Sequence, residues 1–373
     1  MAPVVKAFQK KIHLFETKVC ITAQHREMLD QVLNVFEISA DYDLDIMQTG
    51  QDLYDISARV LLGMKSILLD FKPEVVLVHG DTTTSSFTAL ACFYQQIEVA
   101  HVEAGLRTFD ISAPWPEELN RQITGRVASY HFAPTVNAKQ NLLKENISEE
   151  KITVTGNTVI DALKIAVSKI KHNTFLLESL NKKIKSLGYH NIDSLNQNKS
   201  KLILITGHRR ENFGEKFIQI CEAIKDLALS NPSFDFVYPV HLNPNVQKPV
   251  YKILNNIDNV FLIQPLEYLP FIFLMEKSYF VITDSGGIQE EAPGLGKPVL
   301  VMRDTTERPE VVDAGSVKLV GTQKKTIVLE ANKLIQDKDI YSKMSKAHNP
   351  YGNGNAADKI IRVLSEKNIK SSN

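Results

Sequence analysis

Two doubly wound α/β units are predicted for this 373-residue chain, on three observations. Apolar runs of strand length alternate with helical patterns nearly throughout, the order that builds parallel sheets with helices on both faces. The alternation breaks once, over residues 171–200, where Asn, Lys and Ser dominate, and then restarts. Several runs end in polar turns, and doubly wound sheets bind ligands at the carboxyl ends of their strands.

In order, residues 1–9 carry a helical pattern, 19–22 a strand and 25–36 a helix. Residues 74–79 and 98–102 are strands, with helices at 84–94 and 117–129. Strands at 130–133 and 152–155 flank a helix at 137–145. After the polar segment, which holds one amphipathic patch at 175–187, the strands are 202–205, 234–238, 260–263, 279–283, 298–302 and 317–320. Helices lie between them, including 216–229 and 325–336. The expected domains are 1–170 and 201–350, with 171–200 as the joint and 351–373 as a final segment. The opening helix is unusual, because a doubly wound unit normally begins with a central strand. Without that strand its neighbours are expected to keep unpaired backbone groups, each costing about 1–3 kcal/mol when buried.

Lys+Arg and Asp+Glu both number 43, so the formal net charge is zero. A neutral chain offers no broad field for nucleic acid or a membrane surface, so neither is an expected partner. Cys20, Cys92 and Cys221 lie in apolar patterns without C-x-x-C spacing, which predicts buried free thiols in a reducing compartment. No apolar run is long enough to span a bilayer. The first eight residues lack the features of a signal peptide, so the cytoplasm is the expected location.

The stretch from Tyr279 to Glu291 carries the strongest local signal. A strand leads into Asp284-Ser285-Gly286-Gly287 and then into a helix that opens with Ile288-Gln289-Glu290-Glu291. The glycines allow close approach and tolerate positive φ. The serine hydroxyl and the free N–H groups of the helix start then face one point, which suits an anion such as phosphate. Taken alone, the turn fits an ordinary strand-to-helix connection equally well. The carboxylates one turn into the helix could grip sugar hydroxyls, and Arg303 and Arg308 follow just downstream. A second basic turn, Thr206-Gly207-His208-Arg209-Arg210-Glu211, closes the first strand of this unit and could neutralise a diphosphate. Pro239-Val240-His241-Leu242-Asn243-Pro244 closes the next.

In the first unit, His79-Gly80-Asp81-Thr82-Thr83-Thr84 and Glu103-Ala104-Gly105-Leu106-Arg107 follow successive strands, and Pro116-Glu117-Glu118 opens a helix. Asp81 alone reads as a helix cap. Asp81, Glu103 and Glu117 together form a rim of acids whose mutual repulsion lets one act as acid while another acts as base. There is no Gly-x-x-x-x-Gly-Lys-[Ser/Thr] loop. Gly352-Asn353-Gly354-Asn355-Ala356-Ala357 follows no strand, so it is not a dinucleotide site. The ten histidines show no zinc spacing. No metal or other cofactor is expected.

The motifs Thr22-Ala23-Gln24-His25-Arg26-Glu27-Met28-Leu29, His79-Gly80-Asp81-Thr82-Thr83, Val102-Glu103-Ala104-Gly105-Leu106-Arg107, Gly207-His208-Arg209-Arg210-Glu211-Asn212, Asp284 to Glu291 and Arg303-Asp304-Thr305-Thr306-Glu307-Arg308-Pro309-Glu310 resemble the non-hydrolysing UDP-N-acetylglucosamine 2-epimerases of bacteria. The resemblance runs from Met1 to the final helix. It implies two Rossmann-like domains of the glycosyltransferase-B kind with the active site in the cleft between them. It also implies a homodimer, a final helix at 356–364 packed on the first domain, and interconversion of UDP-GlcNAc and UDP-ManNAc for surface polysaccharide synthesis. Carried over by motif, Asp81, Glu103 and Glu117 are the acid/base group, and His208 stabilises the departing phosphate. Ser285, Gly286 and Gly287 hold the diphosphate, Glu291 binds ribose, Arg308 contacts the nucleotide and Phe271 lies by the uracil. Gln24, Arg210 and His241 match an activating second UDP-GlcNAc site, where Glu27 replaces the usual Gln. The resemblance departs at the amino end, where the family's first strand and Gly-Thr-Arg-Pro-Glu turn have no counterpart. A protein beginning at Met1 is therefore expected to have a weakened first domain and little epimerase activity. The alternatives are a transferase of the same architecture, a hydrolysing epimerase, and a UDP-sugar binder without turnover.

Overall fold

The computed structural model describes residues 1–24 and 26–371; His25, expected in the second helix, lies outside them. The chain divides into two compact units, Met1–Ala162 with Tyr351–Asn373, and Leu163–Pro350.

From the amino end come α1 (Ala2–Gln9), β1 (Cys20–Ile21), α2 (Arg26–Phe36), β2 (Tyr42–Asp43), α3 (Leu53–Phe71), β3 (Val75–His79), α4 (Thr83–Tyr94), β4 (Glu98–Val102), α5 (Glu117–Val127), β5 (Tyr130–Ala133), α6 (Val136–Lys144) and β6 (Ile152–Val154). Strands β3 to β6 form a parallel sheet in sequence order, while β1 and β2 make a separate parallel pair. On one face Val60, Met64 and Leu68 pack with Val78, Ala89, Cys92 and Val99. On the other, Val4 and Phe8 pack with Ala100, Val102, Phe132, Ile360 and Leu364. The last two belong to the final helix, Ala356–Ser371, whose first amides donate to Asp161 at 3.2 and 2.9 Å. Two elements lie beyond the sequence expectations. Strand β2 is only two residues long. Helix α3 is amphipathic, burying Ile56, Val60, Met64 and Leu68 at every fourth position behind an Asp52–Asp55 capping box.

The second unit contains most of α7 (Thr158–Lys171), α8 (Thr174–Ser186), α9 (Ile192–Asn196), β7 (Lys201–Thr206), α10 (Glu215–Ser230), β8 (Phe234–Pro239), α11 (Pro244–Leu254), β9 (Val260–Ile263), α12 (Tyr268–Lys277), β10 (Ser278–Thr283), α13 (Ile288–Gly294), β11 (Val299–Val301), α14 (Pro309–Asp313), β12 (Val317–Leu319), α15 (Lys324–Gln336) and α16 (Lys338–Ser345). Its six parallel strands run β12-β11-β10-β7-β8-β9. The order reverses between β7 and β10, and such a switch point opens a crevice at the strands' carboxyl ends. The turns containing His208 and Ser285 lie there.

Residues 171–200 are not a joint. They form α8 and α9 inside the second unit and bury Leu180, Ile184, Ile192 and Leu195. Tyr189 is fully buried, donating to Asp235 at 2.8 Å. The Asn, Lys and Ser residues of this segment mark the solvent side of packed helices. The division instead falls within α7. Of the three thiols, Cys92 and Cys221 are buried, which pushes both up to about 12, while Cys20 is half-buried. No helix among the described residues is long and apolar enough to cross a membrane.

Gly105, after β4, has φ +90°, and a Cβ there would meet the Ala138 carbonyl oxygen at 2.3 Å. Gly105→Ala therefore adds a left-handed alanine and an overpacked contact, together costing about 2–4 kcal/mol. Urea unfolding of the first unit should show a lower midpoint; an unchanged midpoint contradicts this packing.

Candidate active site

The acids of the first unit sit on turns that the sheet itself pins. The Gly80 amide, at φ +67°, donates to the Val102 carbonyl at 3.0 Å, stitching the turn after β3 to the end of β4. Asp81 follows. Its carboxylate takes the Arg121 guanidinium at 2.6 and 3.0 Å, and its carbonyl takes the Asn120 amide at 3.0 Å. Both partners lie on α5, which Glu117 opens. Arg121 also reaches Glu118 at 3.1 Å, and Glu118 accepts the Thr108 and Phe109 amides at 3.0 and 3.3 Å. Burial opposes ionisation of Glu118, but these bonds hold its carboxyl below the usual range. Glu103 occupies a left-handed backbone position, φ +66°. One of its oxygens lies 3.4 Å from His79 Nε2 and the other 3.4 Å from Asn157 Nδ2. Oε2 of Glu117 is buried without a hydrogen-bond partner among the described residues. A bare carboxylate oxygen is costly in a finished structure and suits a ligand that completes it. The sequence flagged Asp81, Glu103 and Glu117; it did not flag Arg121, Asn120, Glu118 or Asn157, which hold two of them in place.

In the second unit a buried carboxylate organises the switch point. Asp284 accepts the His208 amide at 2.9 Å, the Arg209 amide at 2.9 Å and the Asn212 side chain at 3.2 Å. The loop after β7 is thereby tied to the turn after β10. The His208 ring stacks on His241, with centroids 5.2 Å apart. Burial lowers the His208 pKa, with His241 and Arg209 pushing the same way against Asp284. The His241 Nδ1 accepts the Asn243 amide at 3.1 Å, which fixes its ring.

Neither Gly286 nor Gly287 adopts positive φ, so conformational freedom does not explain them. Space explains Gly286: a Cβ there would meet Arg308 Nη1 at 2.7 Å and Glu307 Oε1 at 3.1 Å. At Gly287 a Cβ would meet nothing within 4 Å. Glu307 is the centre of an arginine cluster, receiving Arg303 at 2.7 Å, Arg308 at 3.1 Å and Arg209 at 3.6 Å. Burial opposes its ionisation, yet the arginines hold its carboxyl below the usual range. Three guanidinium groups thus gather around Glu307 beside the glycine turn, with Glu211 on Arg303 at 2.7 Å and Glu290 on Arg308 balancing their charge. Arg308 also pairs with the buried Glu290.

Glu291 is half-buried and crowded, and burial together with Glu290 raises its carboxyl to about 7. Burial and the nearby Glu291 raise the Tyr268 phenol at the start of α12, the helix that also carries half-buried Phe271. Arg210 is exposed in the short turn Arg210–Asn212. Gln24 belongs to the other unit, in the turn before α2. Among the described residues no His, Cys, Asp and Glu cluster could hold a metal ion.

The raised carboxyl has a pH signature. Folded Glu291 keeps its proton to about 7, whereas the ordinary value is 4.5. Its stabilising effect is therefore full below 4.5 and is lost as pH rises through 7. Between pH 5 and 8 the wild type should lose stability relative to Glu291→Gln, read as diverging melting temperatures. A constant difference contradicts the shift.

A family model described as UDP-N-acetylglucosamine 2-epimerase matches residues 7–365. UDP-N-acetylglucosamine 2-epimerase of Campylobacter jejuni is 62% identical over 365 residues, covering 98% of this chain and 93% of that protein. The Salmonella typhimurium enzyme of the same name is 57% identical, covering 98% and 94%. Among solved structures, UDP-GlcNAc 2-epimerase from Neisseria meningitidis bound to UDP-GlcNAc superposes with a TM-score of 0.86 at 52% identity, covering 98% of this chain and 96% of that one. The Methanocaldococcus jannaschii enzyme in complex with UDP-GlcNAc and UDP gives 0.75 at 31%, covering 98% and 95%. The two-domain α/β fold is that of these enzymes, and the chain belongs to the UDP-N-acetylglucosamine 2-epimerase family.

Proposed function

We propose that this chain interconverts UDP-GlcNAc and UDP-ManNAc by eliminating UDP and adding it back. The observation that carries this reading is the Arg209, Arg303 and Arg308 cluster beside Gly286. At the switch point of a doubly wound sheet, it is a place already built for an anion. Family membership and the ligand-bound relatives name the anion as the diphosphate of a UDP-sugar.

The C2 proton of the sugar lies next to no carbonyl, so direct abstraction is hard. Loss of UDP from C1 with removal of that proton gives a glycal. Return of a proton on the opposite face, with re-addition of UDP, completes the inversion. The reaction needs groups that take and return a proton and a clamp on the leaving diphosphate. In this reading Asp81, Glu103 and Glu117 move the proton. His208, the Ser285-Gly286-Gly287 turn and Arg308 hold the diphosphate, Glu291 the ribose and Phe271 the uracil. Glu307 then gives up its arginines to the incoming diphosphate, which carries more charge.

A homodimer also belongs to this proposal. Tyr54, Leu62 and Leu69 on α3 and Phe93 and Tyr94 ending α4 are exposed, an apolar surface that a second copy could cover.

Incubation of the 373-residue protein with UDP-GlcNAc in heavy water should place deuterium at C2 and accumulate UDP-ManNAc. Free ManNAc with UDP would identify a hydrolase instead, and dependence on an acceptor a transferase; either overturns the reading.

A further inference from the structure

The three acids of the first unit are held in different ways. Asp81 is gripped by a guanidinium. Glu117 has a bare oxygen. Glu103 accepts from Asn157 Nδ2 on one oxygen and has His79 Nε2 beside the other, both at 3.4 Å.

Both neighbours are themselves fixed. Asn157 is buried, and its Oδ1 accepts the Val159 amide at 3.0 Å, so only the Nδ2 end can face Glu103. Its backbone N–H donates to Tyr351 at 2.8 Å, and Gly156 at φ +91° lets the two segments touch, since a Cβ there would lie 2.8 Å from that same carbonyl. His79 ends β3. Burial above all pushes its imidazole well below the ordinary range, so it faces Glu103 uncharged. His101 Nε2 lies 2.8 Å from the Gly80 carbonyl and steadies the turn below. The left-handed φ of Glu103 persists only where the surroundings enforce it.

A carboxylate that must accept a proton and release it within one turnover needs a fixed position without a fixed charge. A guanidinium partner favours the ionised form; neutral neighbours locate the group while leaving both forms accessible. We propose that Asn157 and His79 are positioning residues for proton transfer at C2, orienting Glu103 between the Asn157 Nδ2 donor on one oxygen and the His79 ring beside the other. This rests on the epimerase reading above.

The test compares Asn157→Ala, Asn157→Asp, His79→Ala and His79→Gln in the full chain. Each is measured for kcat, KM, the isotope effect with C2-deuterated UDP-GlcNAc, melting temperature and UDP affinity. Asn157→Ala should lower kcat about 10–100-fold, part of the ~10²–10⁴ that a general acid–base group supplies, with KM and UDP affinity unchanged and a larger isotope effect. Asn157→Asp, which sets a second carboxylate against Glu103, should fall further. His79→Gln, supplying a neutral N–H, should recover part of what His79→Ala loses. Unchanged kcat, or a kcat that falls only in step with melting temperature and UDP affinity, overturns the proposal. If Asn157→Ala does not fold, the His79 pair decides it by the same criteria. Wild-type protein that leaves C2 unexchanged would defeat the epimerase reading itself, a result distinct from any of these.

Discussion

The second unit depends on one buried carboxylate. Asp284 is out of water, and its nearest basic side chain, His208 Nδ1, stands 3.9 Å away, so it is satisfied mainly by hydrogen bonds from two consecutive amides and an asparagine. A buried ionised group left unsatisfied would cost several kcal/mol. The loop after β7 is therefore obliged to bring its amides to the turn after β10. That obligation sets His208 beside His241 and puts Arg209 within reach of Glu307. The sheet supplies the gap, because its strand order reverses there, and Asp284 decides what lines it.

The first unit solves a different problem. Its three acids stand on separate turns, and each has to be held in place. Backbone pinning between β3 and β4 carries the turns, and α5 brings Arg121 to Asp81 and leaves Glu117 at its own first position. The left-handed φ at Glu103 turns its side chain toward the Gly80 turn, where an added Cβ would touch Glu103 Oε2 at 3.3 Å. Glycine at position 80 and strain at position 103 are two halves of one arrangement.

Much of this was legible in the sequence, for physical reasons. Strands such as 98–102 and 130–133 show as short apolar runs bounded by turn residues, and their ends marked the acids. What was not legible came from side chains acting across long sequence distances. Arg121 lies 40 residues from Asp81 and Asn157 lies 54 from Glu103; each alone reads as an ordinary helix or loop residue. The polar stretch at 171–200 misled for a related reason: composition records the wet face of a helix as readily as a linker, and only the spacing of Leu180 and Ile184 shows the dry one. The glycines after Ser285 were found for their smallness, while the expected positive φ is absent.

The central claim is that UDP departs from C1 and returns within a single turnover. Substrate carrying ¹⁸O in the bridge between C1 and the β-phosphorus reports this directly by ³¹P NMR. If the bond breaks, the β-phosphate can rotate before re-addition. The account then predicts that label moves into non-bridging positions at least as fast as UDP-ManNAc appears. Epimerisation with the label held in the bridge would contradict it.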